Sequence, residues 1–442
     1  MNRRRMTRIT DVTRFICFAA GFCLAAALVT GCSTAVSPVP KTLGIPVYSL
    51  TNYGAKCDGI GDIAYDDAAW TTVLGLVATT PGEIFVPSFC YTSVNRFITT
   101  SGVWVAGTGP GSSGIILSTT DPAQESVISF WGSVGGRAVG GLSPRGTWYN
   151  VDTPAAIGAM SIISSAGASH VSTGTQIEII ECDGSDCSIG MPLFVDFATV
   201  ASVSGSTITF VEPLKVAFSG THGQIQLATF VPVANGGVMN LSIITNHPAV
   251  QQVGLYNYAT QNFKADNVAV SSTGDPLYAQ EVDHFHVAGS TFSSTIQESE
   301  LAAVVVGDIS NSSFGYPVAA SGSGGLLLDA GTGFLQLPND YIAGDDIALQ
   351  LTYGTHDLTV SGCTVPFTPG IGDAILLQGA YNIRVNSCSL LGGAGYGVIT
   401  EDQSLTTPLY SQNNTIGPGI KLGTYGIAPY SITTTHGDTL LP

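Results

Sequence analysis

The amino-acid sequence predicts an all-β chain wound as a parallel β-helix, a solenoid in which short strands stack coil upon coil. Three observations predict it. Only 10% of the 442 residues are charged while 54 are Gly, and Val, Ile, Ser and Thr abound, a mixture suited to strands broken by many turns. From residue 236 onward, short aliphatic runs begin near Val253, Pro276, Ala302, Leu326, Ile347, Ala374 and Val398, at intervals of 21 to 27 residues. The amphipathic spacing of about 3.6 that a helical repeat requires is missing. Strands this short cannot bury an apolar face alone, whereas coils stacked about 4.8 Å apart can.

The chain opens with Arg3, Arg4, Arg5, Arg8 and Arg14, then the apolar run Phe15 to Val29. That run is shorter than the roughly 20 residues of a bilayer-spanning helix, so residues 1–31 read as a signal peptide. Leu28-Val29-Thr30-Gly31-Cys32 resembles the lipobox of bacterial lipoproteins, which implies that Cys32 is lipidated and becomes the first mature residue. An ordinary cleaved signal peptide is the alternative. The lipoprotein reading places the chain in the cell envelope, on the outer membrane because Ser33 rather than Asp follows the cysteine. Residues 32–46 are then a tether.

Removing residues 1–31 takes five of 14 basic and one of 31 acidic residues, which leaves 9 and 30 and a formal charge of about −21. Phosphate backbones repel such a surface, so no nucleic-acid partner is expected. No basic groove for a strongly anionic polymer is expected either. Residues 47–159 are assigned to an N-terminal cap and the first coils, 160–235 to a β-rich insertion, and 236–442 to the main coils. In the insertion, Gln176–Ile180, Met191–Val195, Val203–Phe210 and Gln224–Leu227 read as hairpin strands.

Nine cysteines reduce to six once Cys17 and Cys23 leave with the signal peptide and Cys32 carries lipid. Cys182 and Cys187 flank Asp-Gly-Ser-Asp, where a tight turn favours a disulfide over a metal site. Cys363 and Cys388 occupy equivalent places in adjacent coils, because Leu358-Thr359-Val360-Ser361-Gly362-Cys363 precedes Ile383-Arg384-Val385-Asn386-Ser387-Cys388 by 25 residues.

The stretch Tyr53-Gly54-Ala55-Lys56-Cys57-Asp58-Gly59, followed by Asp66-Asp67-Ala68-Ala69-Trp70 and Ile84-Phe85-Val86-Pro87, resembles the N-terminal segment of the pectate-lyase-like superfamily, which includes polygalacturonases and rhamnogalacturonases. The resemblance implies a right-handed β-helix, a short helix from Ala68 to about Val77 capped by Asp66 and Asp67, a Cys57–Cys90 disulfide, and a polysaccharide partner. It covers only about 50 residues in motif.

Further on, Gly344-Asp345-Asp346-Ile347-Ala348-Leu349 resembles the Gly-Asp-Asp strand of polygalacturonases, with Gly372-Asp373 one coil later where that family has Gly-His-Gly. Asp345, Asp346 and Asp373 are therefore the candidate catalytic carboxylates, since stacked coils can assemble the acid pair that glycoside hydrolysis needs. The competing reading is a polar turn before each strand. The family's Asn-Thr-Asp is replaced by Gly322-Ser323-Gly324-Gly325, and its Arg-Ile-Lys is missing after Gly395-Tyr396-Gly397, which argues against polygalacturonase activity itself.

Two ladders of acids emerge when coils are aligned on their first strand: Asp275, Glu300, Asp345 with Asp346, and Asp373; and Glu281, Asp308, Asp329, Gln350, Gln378 and Glu401. His284 and His286 read as solvated rather than metal-ligating, since Val282, Phe285 and Val287 need the buried face, so no metal and no cofactor is expected. Trp104, Trp131, Trp148 and Tyr149 are either sugar-stacking or buried aromatics. The expected function is hydrolysis of an extracellular polysaccharide. A non-catalytic polysaccharide-binding lipoprotein is the rival, and a lyase or epimerase the third reading, which suffers because only Lys264, Arg384 and Lys421 are basic from residue 236 on.

Overall fold

Each coil of the chain lays its apolar residues on those of the coil before, and this stacking is legible rung by rung in the computed structural model. The structure describes residues 44–442 apart from 120, 122, 137–145, 185–191, 248–250, 295, 316–324, 345, 367–371 and 406. Residues 1–31, expected to be a signal peptide, and Cys32, Cys187 and Asp345 lie outside the described residues. Parallel pairing between successive coils joins 28 strands into one sheet wound as a right-handed β-helix.

Three inward ladders form its core. On the first face Ile128, Leu255 and Leu277 are successive partners, as are Leu326, Leu349, Ile375 and Val398. On the second face Ile84, Val105, Val238, Ala265, Val287 and Ile309 follow one another, and Leu337, Val360, Val385 and Ile416 continue. On the third, Cys90, Ile115, Ile243, Val270, Phe292 and Phe314 do so. All are buried. Each Val, Ile or Leu removed from water contributes about 1.5–3 kcal/mol, and repetition of one residue class along a ladder keeps coil spacing uniform. Phe292 and Phe314 stack with centroids 5.1 Å apart, which fills the third face where smaller residues would leave a void.

The chain turns between the first and second faces at a residue with positive φ. Asn235, Asn262, His284, Val306, Phe334, Asp357, Asn382 and Asn413 hold this conformation in their coils, with φ between 49° and 65°. Asn and Asp tolerate it because their short polar side chains bond locally. Asn262 Nδ2 donates to Asn235 Oδ1 at 3.1 Å and Asn382 Nδ2 to Asp357 Oδ1 at 3.1 Å, so the corner is also a side-chain ladder. The corner at His284 turns the chain between His284 and His286, so the two imidazoles do not share one strand face.

At the N-terminal end the helix spans Ile63–Val77, five residues earlier than expected. Its Ala69, Trp70, Val73 and Val77, at spacings of one helical face, are buried over the end of the solenoid. Asp66 and Asp67 lie inside the helix rather than at its cap, which corrects the expected role. Asp66 accepts the backbone N–H groups of Lys56, Cys57 and Tyr91 at 2.9–3.0 Å, while Asp67 pairs with Arg96 and takes the Ser93 hydroxyl. They pin the opening segment to the first coils.

An antiparallel sheet interrupts the solenoid. Its strands run in the order Ser161–Ile163, Thr207–Phe210, Pro192–Ser204, Gln176–Cys182, Ile225–Val231 and Ser133–Val134, with Tyr149–Asn150 beside Ile225–Val231. It thus recruits two short strands ahead of residue 160. Ile180, Val195, Phe197 and Phe230 of this sheet pack on Trp131, Tyr256, Tyr258 and Val305 of the solenoid. Gly331 and Gly354, both at positive φ, let the strand end at Leu193 come close: a Cβ on Gly354 would lie 2.0 Å from the Leu193 carbonyl oxygen.

Disulfides join Cys57 to Cys90 and Cys363 to Cys388. The second is a cross-coil staple between stacked equivalent residues. Cys182 is disulfide-bonded.

Candidate functional site

The outer side of the first face carries the chemistry. Tyr256, Tyr278, Glu300, Leu327, Gln350 and Leu376 are successive register partners there, and Ala302 pairs with Asp329 two residues along. The row begins aromatic and becomes acidic. Trp131, Tyr256 and Tyr258 are buried under the insertion, so these aromatics seat the insertion instead of facing a sugar, and Trp148 is partly buried in the same cluster. Tyr149 stacks on His170 at 4.2 Å. Tyr278, 5.1 Å from the Tyr256 ring, lies half-buried at the rim of that cluster and hydrogen-bonds Glu300.

Burial pushes the carboxyls of this row far from their ordinary range. Asp275, in the turn before Tyr278, is raised to about 8 by burial and by the charges of Glu300 and Glu298. Glu300 is raised to about 8 by burial, Asp329 and Glu298, with the Tyr278 hydrogen bond working the other way. Asp329 is raised to about 7 by burial and Glu298. Its Oδ1 is buried without a hydrogen-bond partner, beside the small Ala302 of the preceding coil. Three carboxyls that hold protons near neutrality on neighbouring coils form a strong candidate for acid–base chemistry.

Asp346 and Asp373 are placed differently. Asp373 pairs with Ile347, so the two acids are offset by one residue, and the Asp346 carbonyl accepts the Asp373 N–H at 2.9 Å. The Asp373 carboxylate accepts the backbone N–H of Tyr396 at 2.7 Å, fixing the start of the next coil, and Asp346 is exposed. Neither joins the cluster. The register also regroups the two sequence ladders: Glu300 lies within its strand opposite Leu327, Gln378 and Glu401 are true neighbours bonded at 3.3 Å, and Asp308 belongs to the second face beside His286. His286 lies between Asp308 at 2.9 Å and Asp266 at 3.1 Å. Among the described residues the one close group of metal-type ligands is Cys57, Asp66 and Cys90, whose sulfurs form the disulfide and whose carboxylate is taken by backbone N–H groups.

Along the corner between first and second faces, the insertion leaves two clefts. One, of about 200 Å³, is lined by Gln261, Asp283, His284, Glu212 and Lys215. The larger, of about 400 Å³, has His356, Tyr381 and Gln412 of successive coils as its floor.

No family model matches the chain, and no curated protein matches it. Solved structures similar to it include the tailspike gp61 of Pseudomonas phage phi297, at 11% identity and TM-score 0.47 over 87% of this chain and 74% of that one. The A-module of the mannuronan C-5 epimerase AlgE6 of Azotobacter vinelandii is similar at 11% identity and TM-score 0.46, over 89% of this chain and 99% of that one. The enzymatically active domain of tailspike protein 2 of bacteriophage CBA120 is similar at 9% identity and TM-score 0.49, over 90% and 47%.

Proposed function

We propose that the chain hydrolyses an extracellular polysaccharide on the outer side of its first face, with Glu300 as acid and Asp329 as base. The observation that carries this reading is the placement of two carboxyls on one outer face of adjacent coils, Glu300 opposite Leu327 and Asp329 two residues along, where burial raises them to about 8 and about 7. Between those values the pair holds close to one proton, which is the state an acid and base must share. Glu300, bonded to Tyr278, keeps it and gives it to the glycosidic oxygen as the C1–O bond breaks. Asp329 takes a proton from the water whose oxygen forms the new bond to C1. Strand spacing and rise put the two Cα atoms about 8 Å apart, room for a water between the side chains, as inversion requires. The half-buried ring of Tyr278 supplies an uncharged stacking face suited to a chain of net charge −17 that offers few cations.

The same reading holds the protein at the cell surface through lipid on Cys32. The purified chain, offered a panel of polysaccharides, is expected to release new reducing ends from one of them. Glu300→Gln and Asp329→Asn should each lower turnover by about 10²–10⁴ without lowering the melting temperature at neutral pH. Unchanged turnover in both variants, or no reducing ends from any polymer, refutes the assignment.

A further inference from the structure

The larger cleft is built rather than incidental. Gly333, His356, Tyr381 and Gln412 are bridged in succession along the corner, and the His356 and Tyr381 rings stack in parallel at 5.0 Å. A Cβ on Gly333 would lie 2.4 Å from the His356 ring, so the stack exists because its first member has no side chain. His356 is 1% exposed; its Nδ1 is held by Asp357 at 2.9 Å, and its Nε2 is buried without a partner. Burial works to raise Asp357, yet the bonds from His356 and Asn382 outweigh it and hold the carboxylate below its ordinary range.

The wall opposite is fixed with comparable care. Glu181, fully buried, accepts the N–H groups of Ser219, Gly220 and His222 at 2.7–3.1 Å, and buried Asp196 accepts the Lys215 N–H at 2.6 Å and its Nζ at 3.3 Å. These two carboxylates hold the loop from Lys215 to His222 over the floor. The loop in turn meets Thr407, whose carbonyl lies 3.4 Å from His222 Nδ1, and whose hydroxyl donates to the Thr221 carbonyl at 3.4 Å. Phe194 sits 5.9 Å from the Tyr381 ring, adding a second aromatic surface.

The geometry points to a second ligand site in this cleft, distinct from the acid row, that takes an uncharged sugar ring. Its volume falls in the range of about 300–1,000 Å³ typical of small-molecule sites. Tyr381 and Phe194 give apolar ring faces for the C–H side of a pyranose. Asn382 and Gln412 give donors and acceptors for its hydroxyls. Its one lysine, Lys215, is already paired with Asp196, and the Asp357 carboxylate lies in the lining, so a uronate or sulfated sugar would find no unpaired lysine or arginine among the described lining residues. The assignment to sugar rests on the reading of the protein as polysaccharide-active; the cleft and its preference for an uncharged ring do not.

Saturation-transfer NMR on the full chain tests it, with methyl glycosides of glucose, galactose and mannose as probes and galacturonate as the charged control. Transfer to at least one neutral glycoside is expected, with none to galacturonate. Thr221→Trp, at an exposed loop position, fills the cleft without touching the core and should cut the transfer at least tenfold; Tyr381→Ala should do the same. A protein that binds the glycosides but cleaves no polymer upholds this site while removing the hydrolase reading. No transfer to any neutral probe, equal transfer to galacturonate, or transfer persisting in Thr221→Trp overturns the site.

Discussion

If burial holds the Asp275 carboxyl protonated near neutrality, replacing it with Asn must change how stability depends on pH. Its ordinary value of 3.8 is raised to about 8 by burial and by the charges of Glu300 and Glu298. A group raised on folding stabilises fully below its unfolded value and loses that contribution as pH climbs to the folded one. Between pH 5 and 7 the unfolded chain has released this proton and the folded chain keeps it, so stability falls by about 1.4 kcal/mol per pH unit. Over those two units Asp275 alone accounts for about 2.7 kcal/mol. Asn has no proton to release, so the stability difference between Asp275→Asn and the parent should move in the variant's favour by that amount from pH 5 to pH 7. Urea unfolding, equilibrated from the folded and the unfolded side at both values, measures it. A difference that stays constant from pH 5 to 7 would refute the raised carboxyl and weaken the acid cluster as a whole, since Glu300 is raised by the same physical cause.

Two further outcomes are expected. Replacing Cys363 and Cys388 with Ser removes a closure of 25 residues, worth about 3.5 kcal/mol on the chain-entropy account, and should lower the urea midpoint; an unchanged midpoint would show that stacking alone holds those coils. Metabolic labelling with a palmitate analogue should mark the chain and fail in Cys32→Ser, and label that survives this change would sink the lipoprotein reading.

The solenoid was legible because it repeats. A ladder such as Val360, Val385 and Ile416 demands one residue class at one phase of every coil, and periodic demand leaves a periodic trace in sequence. The corners left one too: His356-Asp357 and Tyr381-Asn382 stand out because a positive φ selects Asn and Asp. The Cys363–Cys388 staple was within reach of the same alignment, since equivalent residues on adjacent parallel coils are near enough to join. What sequence could not supply was register to a single residue. Asp345-Asp346 and Asp373 drew notice through a motif, but turns between strands vary in length, and Asp373 proves to hold the Tyr396 N–H.

Glu300 was counted in the same ladder as those turn acids, whereas pairing puts it inside a strand, facing outward between Tyr278 and Leu327. A shift of one residue exchanges the faces of a strand, so the difference between a turn cap and a buried acid lies below what a repeat of 21 to 27 residues can resolve. The insertion compounds this. Its seat on Trp131, Tyr256 and Tyr258 decides which part of the row is covered and leaves Tyr278 and Glu300 at the rim, a relation between segments far apart in sequence. Non-repeating contacts of this kind also build the roof of the His356 cleft. The candidate sites on this scaffold therefore reside in the departures from the repeat, which are the positions a repeat-based reading averages away.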